Sequence, residues 1–265
     1  MKKTFEDLKI SMYSGRNLPA QSLIIAAPKA GGGSFYGSLP LLGSAPDYPV
    51  GTVLSDNGRS LFKVACKVLI PAAGPTMRGL MLESLRDVEL PGGNQQLSAT
   101  REGYALAWII LSDKGARGER QDECGPLIEE IVRRQVDVCH VQGFVIPDEP
   151  VNLRALVTRL ALDENFDLIM TSGGTGVAPR DITPEATEKV IDKRLPGFER
   201  AMTAASLAKT PHGVISRAVA GTLGTSLVLN LPGSPKAVRE NLESVIGAVG
   251  HTVDKLQGDP SDCAR

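Results

Sequence analysis

The chain has 265 residues, of which 42% are hydrophobic and 22% charged, and this is enough apolar material for one large core or two small ones. Its 29 Lys and Arg and 30 Asp and Glu give a formal net charge of -1, without the basic surface typical of proteins that bind nucleic acids or anionic membranes. The composition therefore excludes a disordered chain, and we expect no nucleic-acid partner.

The sequence predicts neither a membrane span nor a signal peptide. No run approaches the roughly 18 apolar residues of a transmembrane helix, and Glu6 and Asp7 stand where a signal peptide needs an apolar stretch. The four cysteines lie far apart without a CxxC pair, so neither a zinc site nor a disulfide framework is predicted. We expect a cytoplasmic protein without a membrane partner.

Charge and pattern both change near residue 100. The first hundred residues hold ten Lys and Arg against seven Asp and Glu, a net charge of +3, and the remainder has a net charge of -4. Short β-prone runs at 23–27 and 61–70 and many turn signals predict a small, mainly β domain over 1–100, followed by a second domain over 101–265. The Gly-rich stretch at 29–34 is interpreted as a flexible turn, since no Gly-Lys-Ser/Thr follows it.

Strands and helices alternate in the second domain. Residues 105–111 form a continuous apolar run, which is typical of a strand buried on both faces of a parallel sheet. The later predicted elements are strands at 144–146, 168–170, 214–218 and 226–231 and helices around 127–132, 153–160, 197–209 and 234–256. This alternation predicts a doubly wound α/β sheet, in which ligands bind beyond the carboxyl ends of the strands.

A glycine-rich loop follows the third of these strands. It comprises Ser172, Gly173, Gly174, Thr175 and Gly176. Its glycines allow positive φ and close approach, so several N–H groups can point at one anion; the alternative is a tight turn that only permits helix–strand packing. Arg180 and Asp181 follow, and Thr183 with Pro184 predicts the N-cap and first residue of a helix beside the loop.

Three further polar clusters lie at predicted strand ends. They are Ser112 with Asp113, then Asp148, and then Pro232, Gly233 and Ser234. A carboxylate at such an end can hold Mg²⁺ beside a phosphate, or it can only cap a helix. A helix N-terminus after Ser234 can attract an anion, or the serine can be no more than a cap.

Taken in chain order, the four clusters resemble the MogA/MoaB family of molybdenum cofactor biosynthesis. The resemblance covers about residues 104–257 and includes Ser216 and Arg217. It implies a three-layer α/β domain with a mostly parallel sheet, commonly trimeric, that adenylylates molybdopterin with Mg²⁺ as the metal. In that reaction the terminal phosphate of the pterin attacks the α-phosphorus of ATP and pyrophosphate leaves.

The resemblance also implies roles for single residues. Asp148 and Asp181 match the two carboxylates that the family needs for catalysis, and they would hold Mg²⁺. The loop and the turn at 232–234 look like contacts to the nucleotide and to the pterin phosphate, with Ser112 and Asp113 as further candidates. Arg180 could add positive charge there, or it could be a surface ion-pair residue. No resemblance covers residues 1–100, for which a cofactor-handling or oligomerising role is an analogy only.

Three functions remain as hypotheses. The leading one is a molybdopterin adenylyltransferase that uses ATP and molybdopterin, forms a homo-oligomer such as a trimer, and passes its product to a downstream molybdenum-insertion protein. The second is a non-catalytic molybdopterin-binding or scaffold protein of the same pathway. The third is a molybdate or cofactor sensor in which residues 1–100 regulate a binding domain. The presence of both Asp148 and Asp181 favours the enzyme.

Overall fold

The computed structural model of the protein describes residues 2–28, 38–71 and 75–260. The predicted turn at 29–34 lies outside these residues. The chain divides into two compact units, Met1–Gly103 and Tyr104–Arg265. This division falls slightly beyond the boundary that composition suggests between residues 100 and 101.

The described part of the first unit contains nine strands. They are β1 (Lys2–Met12), β2 (Arg16–Leu18), β3 (Leu23–Pro28), β4 (Leu39–Leu41), β5 (Val53–Asp56), β6 (Arg59–Ile70), β7 (Met77–Ser84), β8 (Val88–Leu90) and β9 (Gly93–Glu102). Seven strands close into a barrel in the order β1, β4, β3, β7, β6, β5, β9, while β2 pairs with β8. The predicted strands at 23–27 and 61–70 correspond to β3 and β6.

The barrel interior follows from alternation along its strands. In β1 the alternate residues Leu8 and Ile10 are buried, as is Phe62 of β6, because successive side chains of a strand point to opposite faces. The hydroxyl of Tyr48, itself buried, donates to the backbone oxygen of Glu6 at 2.5 Å. The prediction of a mainly β N-terminal region is confirmed.

The second unit is a six-stranded sheet with helices. Its elements are β10 (Tyr104–Leu111), α1 (Asp113–Ala116), α2 (Cys124–Arg133), β11 (Val138–Ile146), α3 (Pro150–Thr158), β12 (Leu168–Ser172), α4 (Thr183–Glu188), β13 (Lys193–Arg194), α5 (Pro196–Leu207), β14 (Ala220–Leu223), β15 (Ser226–Leu231) and α6 (Pro235–Leu256). The strand order is β11, β10, β12, β15, β14, β13. The first four strands run parallel, and β14 and β13 are antiparallel to their neighbours.

Helices cover both faces of this sheet. On one face Leu106, Leu168 and Leu229 pack into a common core with residues of α2, α5 and α6. Asn230 follows Leu229 in the strand and so points to the other face of the sheet. There its side-chain amide donates to the hydroxyl of Thr187 in α4 at 3.0 Å, and α4 contacts α3. The fold is therefore the expected three-layer α/β arrangement with a mostly parallel sheet.

The strand predicted at 214–218 is wrong. Residues Pro211–Ile215 form a 3₁₀ helix, capped by the side chain of Thr210, which accepts from the backbone N–H of His212 at 3.3 Å. Val214 is 71% exposed, so the apolar residues here do not mark a buried strand. The proline and the capping threonine are the local signals that the apolar pattern concealed.

The strand predicted at 144–146 begins earlier, at Val138. Among the described strands it pairs with β10 alone and lies at the edge of the sheet. Its side chains are therefore mostly half-buried and do not form a continuous apolar run. Trp108 of β10 lies over Gly143 so closely that an added Cβ would stand 2.0 Å from the indole ring. The glycine thus makes room for the tryptophan.

The sequence predicts neither a membrane-spanning helix nor a disulfide framework. In the described part of the chain, no helix has the length and apolar character needed to cross a membrane. Among the described residues, Cys66, Cys124 and Cys139 form no disulfide. Cys263 lies outside the described residues.

Candidate functional site

The four predicted clusters meet at one edge of the sheet. Register pairs Leu111 with Ile146, Ile110 with Ser172, and Ser172 with Leu231. The ends of β10, β11, β12 and β15 are therefore level, as expected for parallel strands. The loops that follow these strands form the candidate site.

The glycine-rich loop packs against two neighbouring strand ends. Gly173 has φ +105° and Gly174 has φ +63°, values that favour glycine. The N–H of Gly173 donates to the backbone oxygen of Leu231 at 3.1 Å, and a Cβ on Gly173 would lie 2.5 Å from the backbone oxygen of Leu111. A Cβ on Gly233 would in turn lie 3.2 Å from the Gly173 Cα. The tight-turn interpretation thus explains Gly173 and Gly233.

Thr183 holds this loop from the side. Its hydroxyl donates to the backbone oxygen of Gly173 at 2.8 Å, and its N–H donates to the backbone oxygen of Gly174 at 3.0 Å. The prediction of Thr183 as N-cap is wrong, because α4 has Ile182 at that position and no side-chain cap. The threonine hydroxyl is used by the loop instead.

The next three residues of the loop have backbone donors that the protein does not use. Within the described part of the chain, the N–H groups of Gly174, Thr175 and Gly176 have no hydrogen-bond acceptor. Three consecutive N–H groups in a loop with positive φ can bind one anion. The loop thus combines steric packing at Gly173 with available donors at the following residues.

Asp113 and Asp148 connect two of the strand-end loops. The N–H of Asp113 donates to Asp148 Oδ2 and the N–H of Asp148 donates to Asp113 Oδ1, both at 3.2 Å. Burial raises the pKa of Asp148, and the nearby carboxylates of Asp113 and Asp181 add to this effect. A hydrogen bond from Arg180 lowers the pKa of Asp113.

Arg180 is an ion-pair residue on the outside of this group. Its guanidinium binds both carboxylate oxygens of Asp113, with Nη2 at 2.8 Å from Oδ1 and Nε at 3.2 Å from Oδ2. Its Nη1 donates to Glu149 Oε1 at 2.8 Å. The sequence leaves Arg180 open as a positive charge for the ligand or as an ion-pair residue. The structure shows the ion pair, with Asp113 and Glu149 as partners.

Asp181 is held by its own loop. Ala178 N–H donates to Asp181 Oδ2 at 2.7 Å, and Asp181 N–H donates to the backbone oxygen of Ala178 at 2.9 Å. A Cβ on Gly176 would lie 2.7 Å from Asp181 Oδ2, and a Cβ on Gly174 would lie 3.4 Å from Asp148 Oδ1. Both carboxylates therefore stand beside the glycine-rich loop.

The donor set suits a cation that is completed by a ligand. Among residues 2–28, 38–71 and 75–260, no group of three or more His, Cys, Asp or Glu side chains is arranged to hold a metal ion. Asp148 and Asp181 offer hard oxygen ligands, and Mg²⁺ is usually held by one or two carboxylates together with substrate phosphates. The raised pKa of Asp148 reflects burial and negative neighbours, a condition that a bound cation would relieve. The residues thus fit Mg²⁺.

The three serines of the site have structural partners. Ser112 caps α1 by accepting from Gly115 N–H at 3.0 Å, and Ser234 caps α6 by accepting from Ala237 N–H at 3.3 Å. The hydroxyl of Ser172 donates to the backbone oxygen of Pro232 at 2.8 Å. Ser112 and Ser234 therefore fix the first turns of α1 and α6, and Ser172 links the glycine-rich loop to the turn at 232–234.

Asp122 also lies at this edge, although its sequence context, Gln121-Asp122, indicates only a solvated helix start. Its carboxylate accepts from the N–H groups of Cys124 and Gly125, both at 2.9 Å, and so caps α2. It also lines a cleft together with Arg120, Ser112, Ser172 and Gly233. An aspartate just before a helical pattern predicts a cap. That Asp122 also reaches the edge of the sheet depends on the path of residues 117–123, which the sequence does not predict.

The comparisons with known proteins concern the second unit. A family described as a probable molybdopterin binding domain matches residues 107–251. Molybdopterin adenylyltransferase of Helicobacter pylori (strain ATCC 700392 / 26695) is 39% identical over 152 residues, which are 57% of this chain and 86% of that protein. Gephyrin of Dictyostelium discoideum is 36% identical over 168 residues, which are 60% of this chain and only 23% of gephyrin.

A solved structure shows the same fold. The molybdopterin biosynthesis enzyme MoaB of Thermus thermophilus superposes with a TM-score of 0.55 at 42% sequence identity, covering 60% of this chain and 99% of that one. The matched share corresponds to the second unit in length. The MogA/MoaB resemblance and the three-layer fold are therefore confirmed for this part of the chain.

Proposed function

This chain belongs to the family described as the probable molybdopterin binding domain, and from that premise we propose that its second unit is a molybdopterin adenylyltransferase. It would transfer AMP from ATP to the terminal phosphate of molybdopterin in molybdenum cofactor biosynthesis. Relatives that carry this name and match over most of their own length support the proposal.

One observation carries the proposal. The N–H groups of Gly174, Thr175 and Gly176 have no acceptor in the described part of the chain, and the carboxylates of Asp148 and Asp181 stand beside the same loop. Anion donors next to carboxylates are what a phosphate bound together with a cation requires. A loop that served only for packing would have no need of this combination.

The chemistry needs positioning more than covalent help. A terminal phosphate oxygen of molybdopterin forms a bond to the α-phosphorus of ATP, the bond from that phosphorus to the bridging oxygen breaks, and pyrophosphate leaves. The loop amides would hold phosphate oxygens and align the two reactants. Asp148 and Asp181 would hold Mg²⁺, which supplies positive charge against the polyphosphate when it is bound.

The test is a direct assay of the full-length chain. ATP, Mg²⁺ and molybdopterin are incubated with the protein, and pyrophosphate and adenylylated molybdopterin are measured; we expect equal amounts of both and none without molybdopterin. Asp181→Asn should abolish most of the turnover. A matched control is Asp192→Asn, because Asp192 bonds Gly224 N–H at 2.8 Å outside the four strand-end clusters. Tight molybdopterin binding without pyrophosphate would contradict the proposal and support the scaffold function.

The proposed function also includes an oligomeric state, an acceptor of the product and a cellular location. We propose a homo-oligomer, as the family resemblance to trimeric proteins suggests, and a downstream molybdenum-insertion protein as the acceptor of the product. Light scattering of the purified chain would measure the mass of the assembly. We propose the cytoplasm as the location, in line with the expectation from the sequence.

A further inference from the structure

Arg217 connects both ends of the loop that carries Asp181. Its Nε donates to the backbone oxygen of Gly176 at 2.7 Å, and its Nη2 donates to the backbone oxygen of Asp181 at 3.0 Å. Its backbone N–H donates to the backbone oxygen of Thr175 at 2.9 Å. One residue, distant in sequence, thus binds the segment 175–181 at three carbonyls.

Glu185 fixes the guanidinium from the other side. It forms an ion pair with Arg217 Nη1, and it lies in the first turn of α4, directly after the loop. Because a guanidinium presents its N–H groups in a rigid planar fork, a carboxylate on one edge orients the donors on the others. The ion pair therefore fixes which way Nε and Nη2 point.

We propose that Arg217 is a positioning residue that holds Asp181 in place by closing the 176–181 loop. The inference rests on the proposed function, in which Asp181 must meet Mg²⁺ and phosphate. The bonds between Asp181 and Ala178 are local to the loop, so they shape its turn but do not fix the loop to the rest of the unit. The side chain of Arg180 ties the exposed part of the loop to Asp113 and Glu149. Arg217 instead bonds the backbone at both ends of the loop, and it acts on the reaction through Asp181.

A role as a simple positive charge would look different. A guanidinium that served substrate phosphate would direct its donors into the site, whereas Nε and Nη2 of Arg217 are directed to backbone oxygens. Lysine retains the charge but has no planar fork, so it cannot bind the two carbonyls and Glu185 in the same way. Arg217→Lys thus separates the two roles.

The first experiment measures the loop without any ligand. Amide hydrogen exchange is recorded on full-length protein for the N–H groups of Ala178 and Asp181, which bond within the loop. We expect exchange at least about tenfold faster in Arg217→Met and in Arg217→Lys, with amides of α6 unchanged, because the loop opens locally and not with the whole unit. Unchanged exchange in both variants would overturn the proposal, whatever reaction the protein catalyses.

A matched control is available for this measurement. Arg194 also pairs with two carboxylates, Glu188 and Glu199, both at 2.8 Å, and its side chain is 53% exposed against 36% for Arg217. It has no bond to the 176–181 loop. Arg194→Met should therefore leave exchange at Ala178 and Asp181 as in the parent. If Arg217→Met does not fold, Glu185→Gln serves in its place, with a smaller expected acceleration of about threefold.

The second experiment uses the adenylylation assay. Arg217→Met should lower kcat by on the order of thirtyfold while the KM for ATP changes less than about threefold, since the residue acts on the transition state through Asp181. In an Asp181→Asn background, the same change should lower kcat little further. A large rise in KM at unchanged kcat, full activity of Arg217→Lys, or independent effects in the double variant would each overturn the proposal. If the parent has no turnover, the proposed function fails and the exchange measurement still decides the role of Arg217.

Discussion

The backbone N–H of Asp113 donates to the carboxylate of Asp148, and the backbone N–H of Asp148 donates to the carboxylate of Asp113, each at 3.2 Å. The two aspartates are therefore equivalent in their mutual bonds, and they differ in their surroundings. Asp113 has Arg180 bound to both of its oxygens, whereas Asp148 is partly buried beside negative neighbours. The same pair thus contains one carboxylate that the fold stabilises in its charged form and one that it does not.

This difference predicts stability changes of opposite sign. The bond from Arg180 lowers the pKa of Asp113, so its stabilising contribution is present above the unfolded pKa and is lost as pH falls through the folded pKa. Burial raises the pKa of Asp148, so its contribution is present below the unfolded pKa and is lost as pH rises through the folded pKa. At neutral pH Asp113→Asn should destabilise the protein and Asp148→Asn should stabilise it.

Urea unfolding of both variants at pH 7 and at acidic pH measures this prediction. Both differences from the parent should shrink as pH falls through the carboxylate range, because the parent carboxyls then become protonated and resemble the amides. The two variants act as controls for each other. A stabilising effect of Asp113→Asn at pH 7, or a destabilising effect of Asp148→Asn, would show that the pair does not have these electrostatics.

Turnover should respond to Asp148 and Asp181 in the same direction. Asp181→Asn retains the shape of the side chain and removes its charge, so kcat should fall by on the order of a hundredfold while molybdopterin affinity changes little. Asp148→Asn should do the same, and raised Mg²⁺ should restore part of the loss. The double variant should be far less than multiplicatively worse if both residues act on one ion. Near-normal adenylylation by either single variant at saturating ATP would remove that residue from the assignment.

Most of the α/β unit could be predicted from local patterns. Residues 105–111 are apolar throughout because β10 is central and covered on both faces, and this pattern identifies such a strand without knowledge of its neighbours. The edge strand β11 lacks that pattern, so only its last residues were predicted. The error at 214–218 arose because Val214 and Ile215 are apolar but exposed, and a single sequence does not distinguish exposed from buried apolar residues.

The candidate site was predictable as a set of strand ends, but the pairings within it were not. Parallel strands bring their carboxyl ends together, so Asp148 and Asp181 could be expected at one edge. Which groups pair is decided by loop paths of a few residues: Arg180 binds Asp113 and Glu149, and Arg217 binds the backbone of Gly176 and Asp181. Such long-range side-chain contacts have no periodicity in the sequence.

A comparison of two glycines tests the role of the loop. Gly174 and Gly118 both have positive φ, +63° and +73°. A Cβ on Gly118 would meet nothing within 4 Å, whereas one on Gly174 would lie 2.6 Å from Thr183 Oγ1. Gly118→Ala should cost about 1 kcal/mol for the backbone alone, and Gly174→Ala about 2–3 kcal/mol, because the threonine must also give up a hydrogen bond.

Binding separates the two interpretations of the loop further. In calorimetric titrations under conditions where both variants are folded, Gly174→Ala should weaken ATP binding by at least about tenfold, a little over 1 kcal/mol, because the loop donors shift. Gly118→Ala should bind as the parent does. If folded Gly174→Ala binds ATP normally, the glycine is needed only for packing and the tight-turn interpretation is sufficient.

The division between the two units predicts where the chain can be cut. β9 pairs with β1 up to Glu102, opposite Lys2, and Arg101 is buried in the first unit. Tyr104 begins the second unit: its N–H donates to the backbone oxygen of Asp137 at 2.8 Å, and its hydroxyl bonds Asp254 at 2.7 Å. A fragment starting at residue 104 should therefore retain every contact of the sheet that begins there.

We expect the 104–265 fragment to fold autonomously and to bind molybdopterin as the whole chain does, since its core is made within the unit. A fragment starting at residue 106 lacks the two Tyr104 bonds named above. It also lacks the 2.6 Å bond from Ala105 N–H to the Asp167 carboxylate and the 3.0 Å bond from Asp167 N–H to the backbone oxygen of Ala105. It should lose about 2–4 kcal/mol of unfolding free energy, at roughly 1 kcal/mol for each hydrogen bond. Circular dichroism with urea unfolding compares the two fragments. Insolubility of 104–265 while the full chain is native would show that the units depend on each other, and equal stability of both fragments would show that the Tyr104 contacts contribute nothing to the fold.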